Sequence, residues 1–220
     1  MTLPLVLTKR DYVIRRTIVV VLGAILVALA AQVAVPLPGT PVPMTLQPMA
    51  VLLVGGLLGA PLGALSMILY LAMGAAGLPV FTPTVPLLGI ARLLGPTGGY
   101  LLAYPIAAYA TGWFSDPARK RGETPSSAWV PNQHQQPDRV SVNPGLAPGV
   151  REPWLPATVG VFAGMALIHL GGLAQLAILT GTLSAAARFG TVPFVLGDLL
   201  KIAVLVPVLT KLTPTMRARL

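Results

Sequence analysis

The 220-residue chain is 55% apolar and 10% charged, with a mean hydropathy of +0.79, whereas a soluble domain carries about 25% charged residues. These values exclude an ordinary soluble domain, and the lack of cysteine excludes disulfide scaffolds, thiolate zinc sites and cysteine nucleophiles. The net charge of +9 sits in clusters at the ends of apolar segments, which is a mark of membrane topology rather than of a nucleic-acid-binding stripe.

The first apolar run, residues 17–35, contains no charge and is too long for a cleavable leader, whose core is about 7 to 15 residues. It is expected to be a retained transmembrane helix. A proline-rich turn follows, Pro36 to Pro43, and then a charge-free stretch from Gln47 to Gly77 interrupted by Gly59-Ala60-Pro61. This stretch predicts two helices, 47–59 and 61–77, joined by a tight turn. An irregular outer segment leads to a fourth helix over 97–114, whose Trp113-Phe114 end suits a membrane interface. Residues 115–155 are polar and proline-rich and are expected to form a disordered cytoplasmic loop. Apolar runs over 155–187 and 192–212 complete the count. The fold class expected is therefore an all-α integral membrane protein. One domain spans 1–220 and has six transmembrane helices, with both termini cytoplasmic.

Charge supports that orientation. It places Lys9, Arg10, Arg15, Arg16, Arg119, Lys120, Arg121, Arg139, Arg151, Lys211, Arg217 and Arg219 on one side, twelve of the fifteen basic residues, as the positive-inside rule requires. Arg92, Arg188 and Lys201 remain. Of the six acidic residues only Asp198 lies within a span, and Lys201 follows it by three, a spacing that allows the two to pair on one helix face. Each ion near the bilayer centre costs about 2.5 to 3.5 kcal/mol on insertion scales. The pair is thus a candidate ligand site, the alternatives being a structural ion pair or a snorkelling lysine.

Other candidates carry less chemistry. Arg92 precedes a glycine-rich turn and either attracts an anion or is solvated. Thr45 and Gln47 open the second helix, where Gln47 offers a donor and an acceptor to an amide-like or urea-like ligand, or else faces headgroups while Thr45 caps the helix. Tyr70, Phe81, Tyr100 and Tyr104 are aromatic candidates for the wall of an apolar ligand site or for packing, and Phe81 is the best placed as a lid. His169 reads as a core histidine, since the only other histidine is His134 in the polar loop, and no metal site is supported. No phosphate-binding glycine loop ending in Lys-Ser or Lys-Thr is present, and Gly63-Ala64-Leu65-Ser66-Met67 lacks the second glycine of a serine nucleophile turn. No catalytic residue is assigned. Ala24 and Ala28, four apart in the first helix, allow close approach of another helix, either within the bundle or on a partner.

Four segments together resemble one family: Pro41-Val42-Pro43-Met44-Thr45-Leu46-Gln47, Gly77-Leu78-Pro79-Val80-Phe81, Leu94-Gly95-Pro96-Thr97-Gly98-Gly99-Tyr100, and Pro193-Phe194-Val195-Leu196-Gly197-Asp198-Leu199-Leu200-Lys201. In order and spacing they resemble the BioY family, the biotin-specific S components of energy-coupling factor (ECF) transporters. The resemblance implies a multi-pass protein of the bacterial plasma membrane that captures biotin at the outer face. It implies work with an EcfT-type membrane coupling subunit and two ABC-type ATPase subunits, with no cofactor, no enzymatic step and no nucleic acid. It also implies that Asp198 accepts ureido N–H groups, that Lys201 donates to a ligand oxygen, that Arg92 holds the carboxylate, and that Ala24 and Ala28 contact the coupling subunit. Three departures stand out: Thr82-Pro83-Thr84-Val85-Pro86 replaces a glycine-rich stretch, His169 and Gln175 stand where aromatic residues are expected, and the polar insertion at 115–155 is longer than usual. The alternatives are an S component for another vitamin and an ion-coupled secondary transporter, for which one acidic residue already paired with lysine is a poor ion relay.

Overall fold

A computed structural model describes residues 9–115 and 154–217. Helix α1, Lys9–Gln32, is followed by strand β1, Ala34–Val35, which pairs antiparallel with β2, Met44–Thr45, placing Ala34 opposite Thr45. Helices α2, Gln47–Leu58, and α3, Ala60–Ala75, are joined by a single residue, Gly59. Its φ of +86° is open to glycine at no steric cost, and Pro61 fits the first turn of the next helix, where its missing N–H is not needed. A one-turn helix α4, Ile90–Leu94, lies in the segment before α5, Gly98–Phe114. The remaining helices are α6, Trp154–Thr180, α7, Leu183–Gly190, and α8, Val195–Arg217, the last entered through a 3₁₀ turn at Val192–Phe194.

The boundaries differ from the sequence expectation where hydropathy and helix propensity diverge. Helix α1 starts eight residues before Thr17, because Lys and Arg are good helix formers and continue the helix beyond its apolar part. It stops at Gln32, so the end of the expected 17–35 span is strand. The expected 155–187 helix is broken: α6 ends at Thr180, Gly181 takes a φ of +75°, and Thr182 accepts the Ala185 N–H as the cap of α7. Pro193 delays α8 to Val195, so the expected 192–212 helix begins with the 3₁₀ turn. The polar loop expected over 115–155 lies outside the described residues except at its edges.

Three stretches, Arg10–Gln32, Trp154–Thr180 and Leu183–Met216, are long and apolar enough to cross a bilayer. With 12 and 16 residues, α2 and α3 are about 18 and 24 Å long, short of a hydrocarbon core of about 30 Å.

Helix α5 is the hub of the bundle, packed on α6, α3 and α2. Its closest crossing is with α6, where a Cβ on Gly99 would lie 2.1 Å from the Gly171 carbonyl oxygen and one on Gly171 would lie 2.5 Å from that of Gly99. Only hydrogen fits at this backbone-on-backbone contact, and small residues are the usual means of bringing membrane helices together. Helix α1 leans on α3 and α2. Ala24 is completely buried in that contact and Ala28 is partly buried against the core. Of the two alanines expected at a partner contact, Ala24 is thus packed within the chain while Ala28 keeps partial exposure, and the outward face of α1 is Ile18, Val21, Leu22, Ile25, Leu26 and Leu29.

The crossing makes a stability prediction. Gly171→Val should lower the stability of the detergent-solubilised protein by about 1–3 kcal/mol through overpacking, read as a fall in melting temperature. Leu170→Ala, on the exposed neighbouring position, should shift it far less.

Candidate ligand-binding site

A cavity opens where the start of α5, the middle of α6, the start of α8 and the segments before α2 and α5 converge. It holds about 530 Å³ of empty space, its mouth included, of which about 50 Å³ admits the centre of a water molecule. It is therefore narrow. Val42, Pro43, Leu101, Ile168 and Phe194 supply apolar wall, and Thr45, Gln47, Thr82, Arg92, Thr97, Tyr100, Tyr104, His169, Asp198 and Lys201 supply polar groups.

The acidic end of the wall comes from α8. Asp198, Lys201, Ile202, Leu205 and Leu209 recur at helical spacing and are all buried, while Leu196, Leu199, Leu200 and Val204 face outward. Periodicity thus turns the ion pair inward. Asp198 sits in the first turn of α8, where the helix dipole favours a carboxylate. Lys201 Nζ donates to its Oδ1 at 2.8 Å, and the Oδ2 contacts His169 Nε2 of α6 at 2.7 Å. The expected Asp198–Lys201 pair is present and stands at a cavity, not sealed within packing.

Arg92 marks a second polar end. Gly89, at a φ of +59°, turns the chain into α4, and the Arg92 side chain is 1% exposed. Its Nη1 donates to the Val85 carbonyl at 2.7 Å and its Nη2 to the Thr82 carbonyl at 3.1 Å, while Nε has no partner. The Thr82-Pro83-Thr84-Val85-Pro86 segment is the cradle for this guanidinium. Burial lowers the Arg92 pKa from its ordinary value, but a guanidinium keeps its charge in a protein. No carboxylate among the described residues forms an ion pair with it. Nearby, the Thr97 hydroxyl is also buried without a partner.

The other sequence candidates divide. Thr45 and Gln47 reach the wall, but the Gln47 amide donates to the Tyr70 hydroxyl and accepts from Thr45 at 3.3 Å, leaving one N–H and one lone pair. Tyr70 passes the network on to the Val80 carbonyl and does not line the cavity. Phe81 does not line it either: its ring packs edge-on against Tyr70 and over Gly74, which makes it core rather than lid. Tyr100 lines the wall and donates its hydroxyl to the Gly190 carbonyl, tying α5 to the end of α7. Sequence reasoning did not choose His169, Thr97 or Phe194. The signals were present: a histidine within the charge-free α6, a Thr inside the motif at 94–100, and an aromatic residue four before Asp198.

Comparisons with known proteins agree with this architecture. The BioY family matches over residues 5–218. A biotin transporter BioY of Thermotoga maritima is 32% identical over 179 residues, 81% of this chain and 84% of that one. A probable biotin transporter BioY of Pyrococcus horikoshii is 46% identical over 93 residues, 42% of this chain and about half (55%) of that one. In the solved S-component for biotin from an ECF-type ABC transporter the fold is shared at a TM-score of 0.70, with 22% identity and 94% of each chain covered. On the extent of the family match and the near-full-length bacterial relative, this chain is an integral membrane protein of the BioY family.

Proposed function

We propose that the chain is a biotin-capturing S component, and that the cavity at α5, α6 and α8 is its ligand site. One observation carries this reading: the wall holds two cations, Arg92 and Lys201, against one carboxylate, Asp198, and Arg92 is bonded only to neutral carbonyls. A monoanion in the cavity cancels the surplus, whereas a neutral or cationic ligand leaves a buried guanidinium uncompensated at a cost of several kcal/mol. Biotin has the matching ends. Its cyclic urea offers two N–H groups to Asp198 and a carbonyl oxygen to Lys201, and its carboxylate goes to Arg92 with the Thr97 hydroxyl as a further donor. The apolar ring and chain between them fit Leu101, Ile168, Phe194 and the tyrosine faces. Because the cavity is narrow, entry requires the covering segments before α2 and α5 to move outward and close again.

The topology that supports this capture has six spans, with α2 and α3 crossing a bundle thinned or extended by their flanks, and both termini in the cytoplasm. The site then lies toward the outer face of the bacterial plasma membrane. Work against a gradient is then supplied by an EcfT-type coupling subunit and two ABC-type ATPases, a reading supported by the solved neighbour's origin in an ECF-type ABC transporter.

Calorimetry of the detergent-solubilised protein tests the site. Lys201→Ala should abolish high-affinity biotin binding while leaving the helical circular dichroism intact; unchanged affinity removes the site. Arg92→Gln should weaken biotin by at least about thirtyfold, the scale expected when one partner of a buried charge pair is lost. The same substitution should leave biotinamide, which lacks the carboxylate, nearly unaffected. Equal losses for acid and amide would place the carboxylate elsewhere. In proteoliposomes containing the coupling subunit and ATPases, biotin uptake should require ATP and survive an ionophore. Ionophore-sensitive uptake without ATP would favour ion coupling.

A further inference from the structure

The contact between His169 and Asp198 joins two helices through one carboxylate. An ionised carboxylate only accepts hydrogen bonds, so His169 Nε2 carries the hydrogen and donates it across 2.7 Å to Oδ2. The remaining ring nitrogen, Nδ1, is buried with no partner, so the histidine makes one polar bond and spends it on Asp198. Lys201 occupies the other oxygen from the same helix as Asp198.

Both bonds are needed to fix the acceptor. The terminal torsion of an Asp side chain is broad, and a single bond from a flexible lysine leaves the carboxylate free to turn. A second donor, placed on α6 and steadied by the edge-on contact of its ring with Tyr100 at 6.2 Å, removes that freedom. Each carboxylate oxygen has about two lone-pair sites. With one on each taken, one on each remains for a donor in the cavity that all three residues line.

We propose that His169 is a positioning residue for ligand recognition, acting through Asp198 by holding the carboxylate plane so that its free lone pairs meet the N–H groups of a cyclic urea. The proposal rests on the reading of the cavity as a biotin site. Preorganisation of this kind raises affinity by removing the cost of ordering the acceptor on binding.

The test compares His169→Phe, which keeps a ring against Tyr100 but has no donor, with His169→Gln, whose amide N–H can reach the place of Nε2. His169→Asn, too short to reach Asp198, is a second variant without the bond should the Phe protein not fold. Titrations use biotin and 1′-N-methylbiotin, which lacks one ureido N–H. The Phe or Asn variant should bind biotin about tenfold or more weakly, as expected for loss of a hydrogen bond to a charged group. His169→Gln should recover to within about threefold, and the penalty of the donorless variant should shrink for the methylated ligand. The proposal is overturned if His169→Phe or His169→Asn binds biotin as wild type does. It is equally overturned if Gln gives no recovery and both ligands weaken alike, which is the signature of lost packing. Failure of the wild-type protein to bind biotin would instead sink the assignment of the site.

Discussion

Ions placed among membrane helices must be held by partners, and this constraint organises the molecule. Asp198 can lie in α8 because three features oppose the cost of its charge: the lysine one turn on, the histidine of α6, and the positive start of its own helix. Arg92 meets the same constraint differently. It is buried among carbonyls of the 82–85 turn, which satisfy hydrogen bonds but not charge. The fold therefore contains one compensated ion group and one uncompensated cation on the same cavity wall. A structure maintained for stability alone would have little reason to keep the second.

Close helix packing delivers these groups. The Gly99 and Gly171 contact draws α5 onto α6, so that Tyr100, Leu101 and Tyr104 of one helix, Thr97 just before it, and Ile168 and His169 of the other share a wall. Tyr100 illustrates the economy of the arrangement. Its ring fills the space left open at Gly172, its hydroxyl secures the end of α7, and its edge meets His169. The end of α7 is followed at once by Phe194 and then by Asp198, so one tyrosine links the position of α5 to the start of α8. The site is consequently built on helix termini and helix crossings, with the short β1–β2 ribbon bringing Val42, Pro43 and Thr45 over it.

Much of this was legible in the amino-acid sequence because membrane insertion penalises charge so strongly. The lone intramembrane Asp and the Lys three residues later could be read as a pair from spacing alone, and proline and glycine marked the turn between α2 and α3. What could not be read depended on contacts between distant segments. Nothing local shows that Ala24 is used inside the bundle, that Phe81 lies on Tyr70, or that His169 of α6 reaches a carboxylate 29 residues on. The break at Gly181 was hidden for a different reason: neither a charge nor a proline interrupts residues 157–187, so hydropathy runs through a point where only backbone conformation changes. Helix α4 was missed because a single turn leaves no periodicity to detect.

The central claim is that one charged cavity grips a urea at Asp198 and Lys201 and an acid at Arg92. A crystal structure of the protein with biotin bound tests it most directly. Ureido N–H groups are expected within hydrogen-bond distance of the Asp198 carboxylate, the ureido oxygen on Lys201 Nζ, and the ligand carboxylate against the Arg92 guanidinium. Biotin found outside this cavity, or inside it with its carboxylate away from Arg92 and its urea away from Asp198, would contradict it.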